Sequence, residues 1–166
     1  PMGNRILIVT NGGGFGVIVA DHCSENGLEV PPPSPQLKEK LGSKFSAFYV
    51  VNNPVDLTGS ACDSDYYIAL NACMIESDEY DAAIIIPLMA PQGMTEKVVD
   101  LITETMKRSG KPAVICTVGG AFTMKIKGLF EEREFPVYPS PERSARAMSM
   151  LLKRRVLQEG AVRSAI

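Results

Sequence analysis

The chain has 166 residues, 45% of them hydrophobic and 22% charged, with a formal net charge of −2. That length fits one domain able to bury a proper core, and so small a net charge excludes a general attraction to nucleic acid or to anionic membranes. No apolar run approaches the ~20 residues of a membrane span, and no signal-peptide pattern opens the sequence.

In chain order the pattern alternates strand and helix. Arg5 to Thr10 contains the apolar run Ile6-Leu7-Ile8-Val9 and reads as a buried strand. Thr10-Asn11-Gly12-Gly13-Gly14-Phe15-Gly16 follows it and opens a helix from about Gly14 to Glu25. Asn26-Gly27 stops that helix, with Gly27 suited to a left-handed cap. Leu28 to Val30 reads as a short second strand. Pro31-Pro32-Pro33-Ser34-Pro35 then blocks regular structure, and Ser34 with Pro35 starts a short helix over Gln36 to Leu41. Phe48 to Val51 reads either as a third strand or as a loop leading into Asn53-Pro54.

Asp63-Ser64-Asp65 starts a helix running from about Tyr66 to Ser77. Ala82 to Leu88 is apolar on both faces, as central parallel strands are. A helix from Thr95 to Ser109 closes at Gly110, and Ala113 to Thr117 is another buried strand. Phe122 to Arg133 reads as a helix, in which Phe122, Met124 and Phe130 read as packing residues. Val137-Tyr138 is a short strand, and Ser140-Pro141 starts a last helix to about Leu157. Lys107-Arg108 and Lys153-Arg154-Arg155 then fall near helix C-termini, where dipole and solvation account for them. The ends, Pro1-Met2-Gly3 and the small polar finish Glu159 to Ile166, suggest a piece of something longer. Strands alternating with helices imply a single doubly wound, flavodoxin-like α/β/α domain with a parallel sheet over residues 1–166.

In such sheets ligands sit beyond the carboxyl ends of the strands, where the strand order reverses. An order 2-1-3-4-5 brings the loop after strand one together with Asn53-Pro54-Val55-Asp56-Leu57-Thr58-Gly59. A strand, a glycine turn and a helix N-terminus make an anion site, because the first helical N–H groups lack intrahelical partners and the dipole adds partial positive charge. Glycine lets the backbone approach an oxyanion with no Cβ in the way. A phosphate or carboxylate is therefore expected at Asn11, Gly12, Gly13, Gly14, Phe15 and Gly16, with Asn53, Pro54, Asp56, Thr58 and Gly59 as the supporting loop. Asn53-Pro54 is a turn that suits a cis peptide. Asp56 suits a bracing or metal role better than direct phosphate contact, since like charges repel. Thr58 either donates to phosphate or caps a turn.

Other chemistry is poorly supported. His22 is the only histidine and lies about two turns into its helix, away from the donors, so it reads as a surface or packed residue. Cys23 points ~100° away from it, which rules against a dyad. Cys23, Cys62, Cys73 and Cys116 form no CxxC pair and read as free structural thiols in a reducing, cytoplasmic compartment, with no zinc or other metal site. Val17 stands where the dinucleotide fingerprint needs its third glycine, and the Lys-Ser/Thr of a P-loop is missing.

Ile6 to Gly16, Asn53 to Gly59, Ser109-Gly110-Lys111-Pro112 and Val137-Tyr138-Pro139-Ser140-Pro141-Glu142-Arg143 resemble the NDP-forming acyl-CoA synthetases, which include ADP-forming acetyl-CoA synthetase and, more distantly, succinyl-CoA synthetase. The likeness covers nearly the whole chain and is specific to the CoA-ligase-type flavodoxin-like domain. It implies part of an enzyme that couples acyl-CoA cleavage to ATP formation through an acyl phosphate and a phosphohistidine. It also implies CoA, ADP or ATP, and Mg in the complete enzyme. The implied partners are a CoA-binding, phosphohistidine-carrying part and an ATP-grasp domain. The carrier histidine of the family lies in another domain and His22 does not match it, so no catalytic residue is expected in this stretch and the chain alone should not complete the reaction. Asn11 to Gly16 would form one side of the phosphohistidine cradle, with Phe15 replacing the small residue or proline often found there. The competing expectations are a stand-alone module that binds a phosphorylated or carboxylated metabolite and, on fold grounds alone, a flavoprotein.

Overall fold

Five short apolar runs pair into one parallel sheet in this computed structural model, which describes residues 1–163. The strands are β1 (Ile6–Thr10), β2 (Val55–Asp56), β3 (Ala82–Ile86), β4 (Ala113–Cys116) and β5 (Val137–Tyr138), in the order β2-β1-β3-β4-β5. The central pair is in register from Ile6 opposite Ala82 to Thr10 opposite Ile86. Successive strand residues point to opposite faces, and both faces are covered. Leu7, Val9, Ala83, Ile85 and Ile115 enter one core, while Ile6, Ile8, Ile84, Ile86 and Val114 enter the other.

The helices are α1 (Gly13–Glu25), α2 (Pro35–Gly42), α3 (Asp63–Leu70), α4 (Lys97–Ser109), α5 (Ala121–Glu132) and α6 (Pro141–Arg163). Leu37, Leu41, Tyr66, Val98, Ile102 and Phe130 from α2 to α5 pack on the first face. Val19 and Cys23 of α1 and Ala145 and Met148 of α6 pack on the second. The doubly wound α/β reading is therefore right. Ser34 caps α2 by accepting the Leu37 N–H at 3.2 Å, and Gly27 takes the left-handed φ of 75° that its place after α1 demands.

The sheet edge differs from the expectation. Leu28–Val30 is no sheet strand; it contributes one bridge, Glu29 to Arg5. The edge of β1 where a second strand was expected is taken by the side chain of Asn53. Its Oδ1 accepts the Ile8 N–H at 2.9 Å and its Nδ2 donates to Ile6 O at 2.8 Å, as a neighbouring peptide would. Of the two readings of Phe48–Val51 the loop holds, with one isolated antiparallel bridge from Val50 to Asp56. The partner of β1 is Val55–Asp56, inside the segment read as a loop.

The helix expected over Tyr66–Ser77 starts at Asp63 and changes after Leu70 into a π-helical segment, Asn71–Ile75, which keeps Ala72, Cys73 and Met74 buried. The last helix passes Leu157 and continues to Arg163, so Lys153-Arg154-Arg155 lie inside it, away from a C-terminus. The expected linker Glu159–Ile166 is helical as far as Arg163, and its final residues 164–166 lie outside the described residues. No helix among the described residues is long and apolar enough to cross a membrane.

Candidate functional site at the carboxyl edge of the sheet

β1 ends at Thr10 and α1 begins at Gly13, so Asn11 and Gly12 alone make the connection. Thr10 Oγ1 accepts the Gly12 N–H at 3.0 Å, which folds the turn back on itself. Gly12 O accepts the Phe15 N–H at 2.9 Å and opens the helix. No side chain caps α1, and its first turn holds no acidic residue. The N–H groups of Gly13 and Gly14 thus remain at the helix mouth, where the dipole favours an anion.

The glycines differ in why they are glycine. A Cβ on Gly12 would run into the Leu88 side chain, and one on Gly13 into the Asp56 carboxylate. A Cβ on Gly16 would lie 3.0 Å from Thr10 Cγ2 and 3.1 Å from Pro54 Cβ. Nothing lies within 4 Å of a Cβ on Gly14, whose bare backbone faces outward. Packing accounts for three of the four, and free access accounts for Gly14.

Asn11 faces the scaffold instead. Only 4% exposed, its Nδ2 donates to Leu88 O and its Oδ1 accepts the Leu88 N–H, both at 2.8 Å. The buried Tyr66 hydroxyl lies 3.0 Å from the same Oδ1 and 2.8 Å from Ile86 O. Desolvation pushes the Tyr66 pKa well up, so the hydroxyl stays protonated and donates.

The supporting loop does meet the glycine turn. Pro54, after a cis peptide bond, lies under Gly16. Asp56 Oδ1 accepts the Thr58 N–H at 2.9 Å, and its Oδ2 lies against Gly13. This carboxylate braces both loops. Thr58 sits at φ 57°, uncommon for a non-glycine residue, and its Oγ1 pairs with Ser60 Oγ at 2.9 Å. Gly59 is exposed beside it. The expected reason for this meeting needs correction. The loop carries β2 and flanks the outer side of β1, so it does not follow the third strand. The order reverses between β1 and β3, and the loop facing the glycine turn across that point contains Leu88 and Met89.

A crevice of about 490 Å3 lies there, walled by Phe15, Leu88, Met89, Val118 and Phe122. The N-terminus of α5 enters it, with Gly120 at the N-cap and again no side-chain cap. Two uncapped helix N-termini therefore serve one edge of the sheet. The sequence reading missed this second half; its signal was Gly119-Gly120 between a buried strand and a helix, the same grammar as the first turn. Of the three residues read as packing, Phe130 is buried, but Phe122 and Met124 are 44% and 60% exposed.

His22 lies near the other end of α1, with Nδ1 2.8 Å from Glu25 Oε2. Among the described residues no group of three or more His, Cys, Asp or Glu is placed to hold a metal ion.

Comparisons with known proteins bear on the family and the fold. The model of the Ligase-CoA domain family matches residues 6–147. The α subunits of acetate–CoA ligase [ADP-forming] I and II from Pyrococcus furiosus are 31% and 32% identical over 156 residues, which is 92% of this chain and 33% and 34% of theirs. The structure titled dinucleotide forming acetyl-coenzyme A synthetase 1 from Ca. Korarchaeum cryptofilum, in complex with phosphate and ADP, superposes with a TM-score of 0.86 at 28% identity, covering 100% of this chain and 36% of that one. The chain thus spans about a third of the length of these relatives. It belongs to the Ligase-CoA domain family.

Proposed function

We propose that this chain is the phosphoryl-cradling domain of an NDP-forming acyl-CoA synthetase, an enzyme that converts acyl-CoA, ADP and phosphate to acid, ATP and CoA. The observation that carries the reading is the uncapped N-terminus of α1 behind Gly13 and Gly14, with Gly14 open to the outside. Phosphate and ADP in the relative's structure support it.

In this reading a phosphohistidine borne by another domain enters at Gly12 to Phe15. The backbone donors there stabilise the metaphosphate-like group during transfer, at no cost in reorganisation. Asp56 positions the loop without touching the phosphoryl oxygens. Mg and nucleotide are held by the parts that carry the ATP-grasp fold, and CoA by a separate domain. Residues 1–166 act as one domain of that assembly, in a reducing cytoplasm where four free thiols persist.

The test is phosphoenzyme formation from labelled ATP in the complete synthetase. Gly13→Val should lower the labelled fraction at least tenfold while the chain stays folded, because the branched side chain displaces Asp56 and crowds the donors. His22→Ala should label like the wild type. Full labelling of Gly13→Val, or loss of label in His22→Ala, contradicts the assignment.

A further inference from the structure

A second cavity, of about 610 Å3, lies away from the glycine turn, between α6 and the β5 edge of the sheet. Its walls include Tyr138, Pro136, Ala147, Met150 and Leu151, and three arginines reach its rim: Arg143, Arg146 and Arg154. At 3.6 residues per turn, Arg143, Arg146, Ala147, Met150, Leu151, Arg154 and Leu157 share one face of α6, within an arc of about 140°. The opposite face holds Ala145 and Met148, which pack on the domain. α6 therefore has a second apolar stripe, which lines the groove and is only partly covered by Pro136 and Tyr138. Met150 is 58% exposed and Leu157 74%.

Charge identifies what covers the stripe. Arg143, Arg146 and Arg154 form no ion pair among the described residues, whereas Arg5 and Arg133 do. They spread over about 16 Å of helix axis, more than one phosphate or carboxylate group spans. Strand addition is blocked: Pro136 and Pro139 bracket the two-residue edge strand and offer no N–H.

We infer that this face of α6 docks an acidic amphipathic helix, whose apolar side fills the groove over Met150 and Leu151 and whose carboxylates pair with Arg143, Arg146 and Arg154. The helix belongs to another part of the same synthetase, and in this respect the inference rests on the proposed function. Relatives carry about two thirds of their length beyond the matched region, which leaves room for such a segment. A helix laid along the stripe is a groove-binding mode read through i, i+3, i+4 and i+7 anchors.

The test places a photo-crosslinking amino acid at Met150 in the complete enzyme, with Lys125 on α5 as a remote control position. Cross-links from position 150 to one acidic helical segment are expected, and they should fall at least fivefold in R146E/R154E. Circular dichroism establishes that the double variant is folded; if it is not, R154E alone is used with the same expectation. No cross-link, one to a basic or non-helical segment, or one abolished by millimolar ADP overturns the docking helix, the last in favour of a small-ligand groove. Wild-type labelling of Gly13→Val with an intact cross-link at 150 would overturn the phosphoryl cradle and leave this surface standing.

Discussion

Asn11 and Leu88 are joined by a two-way amide contact, each bond 2.8 Å, that spans the point where the strand order reverses. The contact fixes the loop after β1 to the loop after β3, and so sets the distance between the glycine turn and the crevice wall. The side chain of Asn11, a residue expected at the anion site, is engaged as a tie within the scaffold.

Asn11→Ala should therefore cost stability. It leaves the half-buried Leu88 N–H and carbonyl without their side-chain partner, each a partly desolvated group worth ~1–3 kcal/mol, while the Tyr66 hydroxyl keeps Ile86 O. Urea unfolding should show a loss of about 2–4 kcal/mol. A loss below ~0.5 kcal/mol would mean that the tie is not maintained in solution.

Acid sensitivity should come partly from Asp81. Arg5 donates its backbone N–H and Nε to Asp81 Oδ2, and a guanidinium NH2 to Oδ1 at 2.9 Å. The guanidinium hydrogen bonds hold the carboxyl below its ordinary pKa. The folded pKa is depressed, so the contribution is complete above the unfolded value near ~4 and lost as pH falls through the folded one. Asp81→Asn should lower stability by about 1 kcal/mol at pH 6, a modest figure because Arg5 is partly exposed. The gap between the two proteins should close as pH drops below ~4. A gap constant from pH 6 to pH 3 would show that the ion pair does not contribute.

The thiols should divide sharply. Burial pushes Cys23 and Cys73 up to about 12 and raises Cys116. Cys62, at the start of α3, is the one cysteine not fully buried. Ellman's reagent at pH 8 should titrate one thiol rapidly in the native chain and four in denaturant, and Cys62→Ser should abolish the rapid phase. Rapid reaction of two or more thiols would indicate a looser core than the packing implies.

Much of this was legible in the residues. Continuous apolar runs at Ile6–Val9, Ala82–Ile86 and Ala113–Cys116 announce buried parallel strands, because only strands covered on both faces can be apolar throughout. Ser34 and Gly27 mark helix ends by chemistry that acts locally. The second strand was not legible. Val55–Asp56 is two residues long, and Asn53 supplies the rest of the edge with a side-chain amide, which no periodicity reveals. The site was half legible for the same reason. The glycine turn follows from local backbone chemistry. The role of Asn11 depends on Leu88, 77 residues away, and the exposed Phe122 looks like any core phenylalanine until the crevice is seen.

The central claim is that the turn Gly12 to Phe15 receives the phosphoryl group on its backbone N–H groups. Amide-resolved NMR titration of the chain with inorganic phosphate tests it most directly. The largest shifts should appear at the amides of Gly13 and Gly14, saturate with phosphate, and vanish in Gly13→Val, while Asp56→Asn should bind a few-fold more tightly because a neighbouring negative charge is gone. Shifts centred elsewhere, or an unchanged response in Gly13→Val, would contradict the cradle.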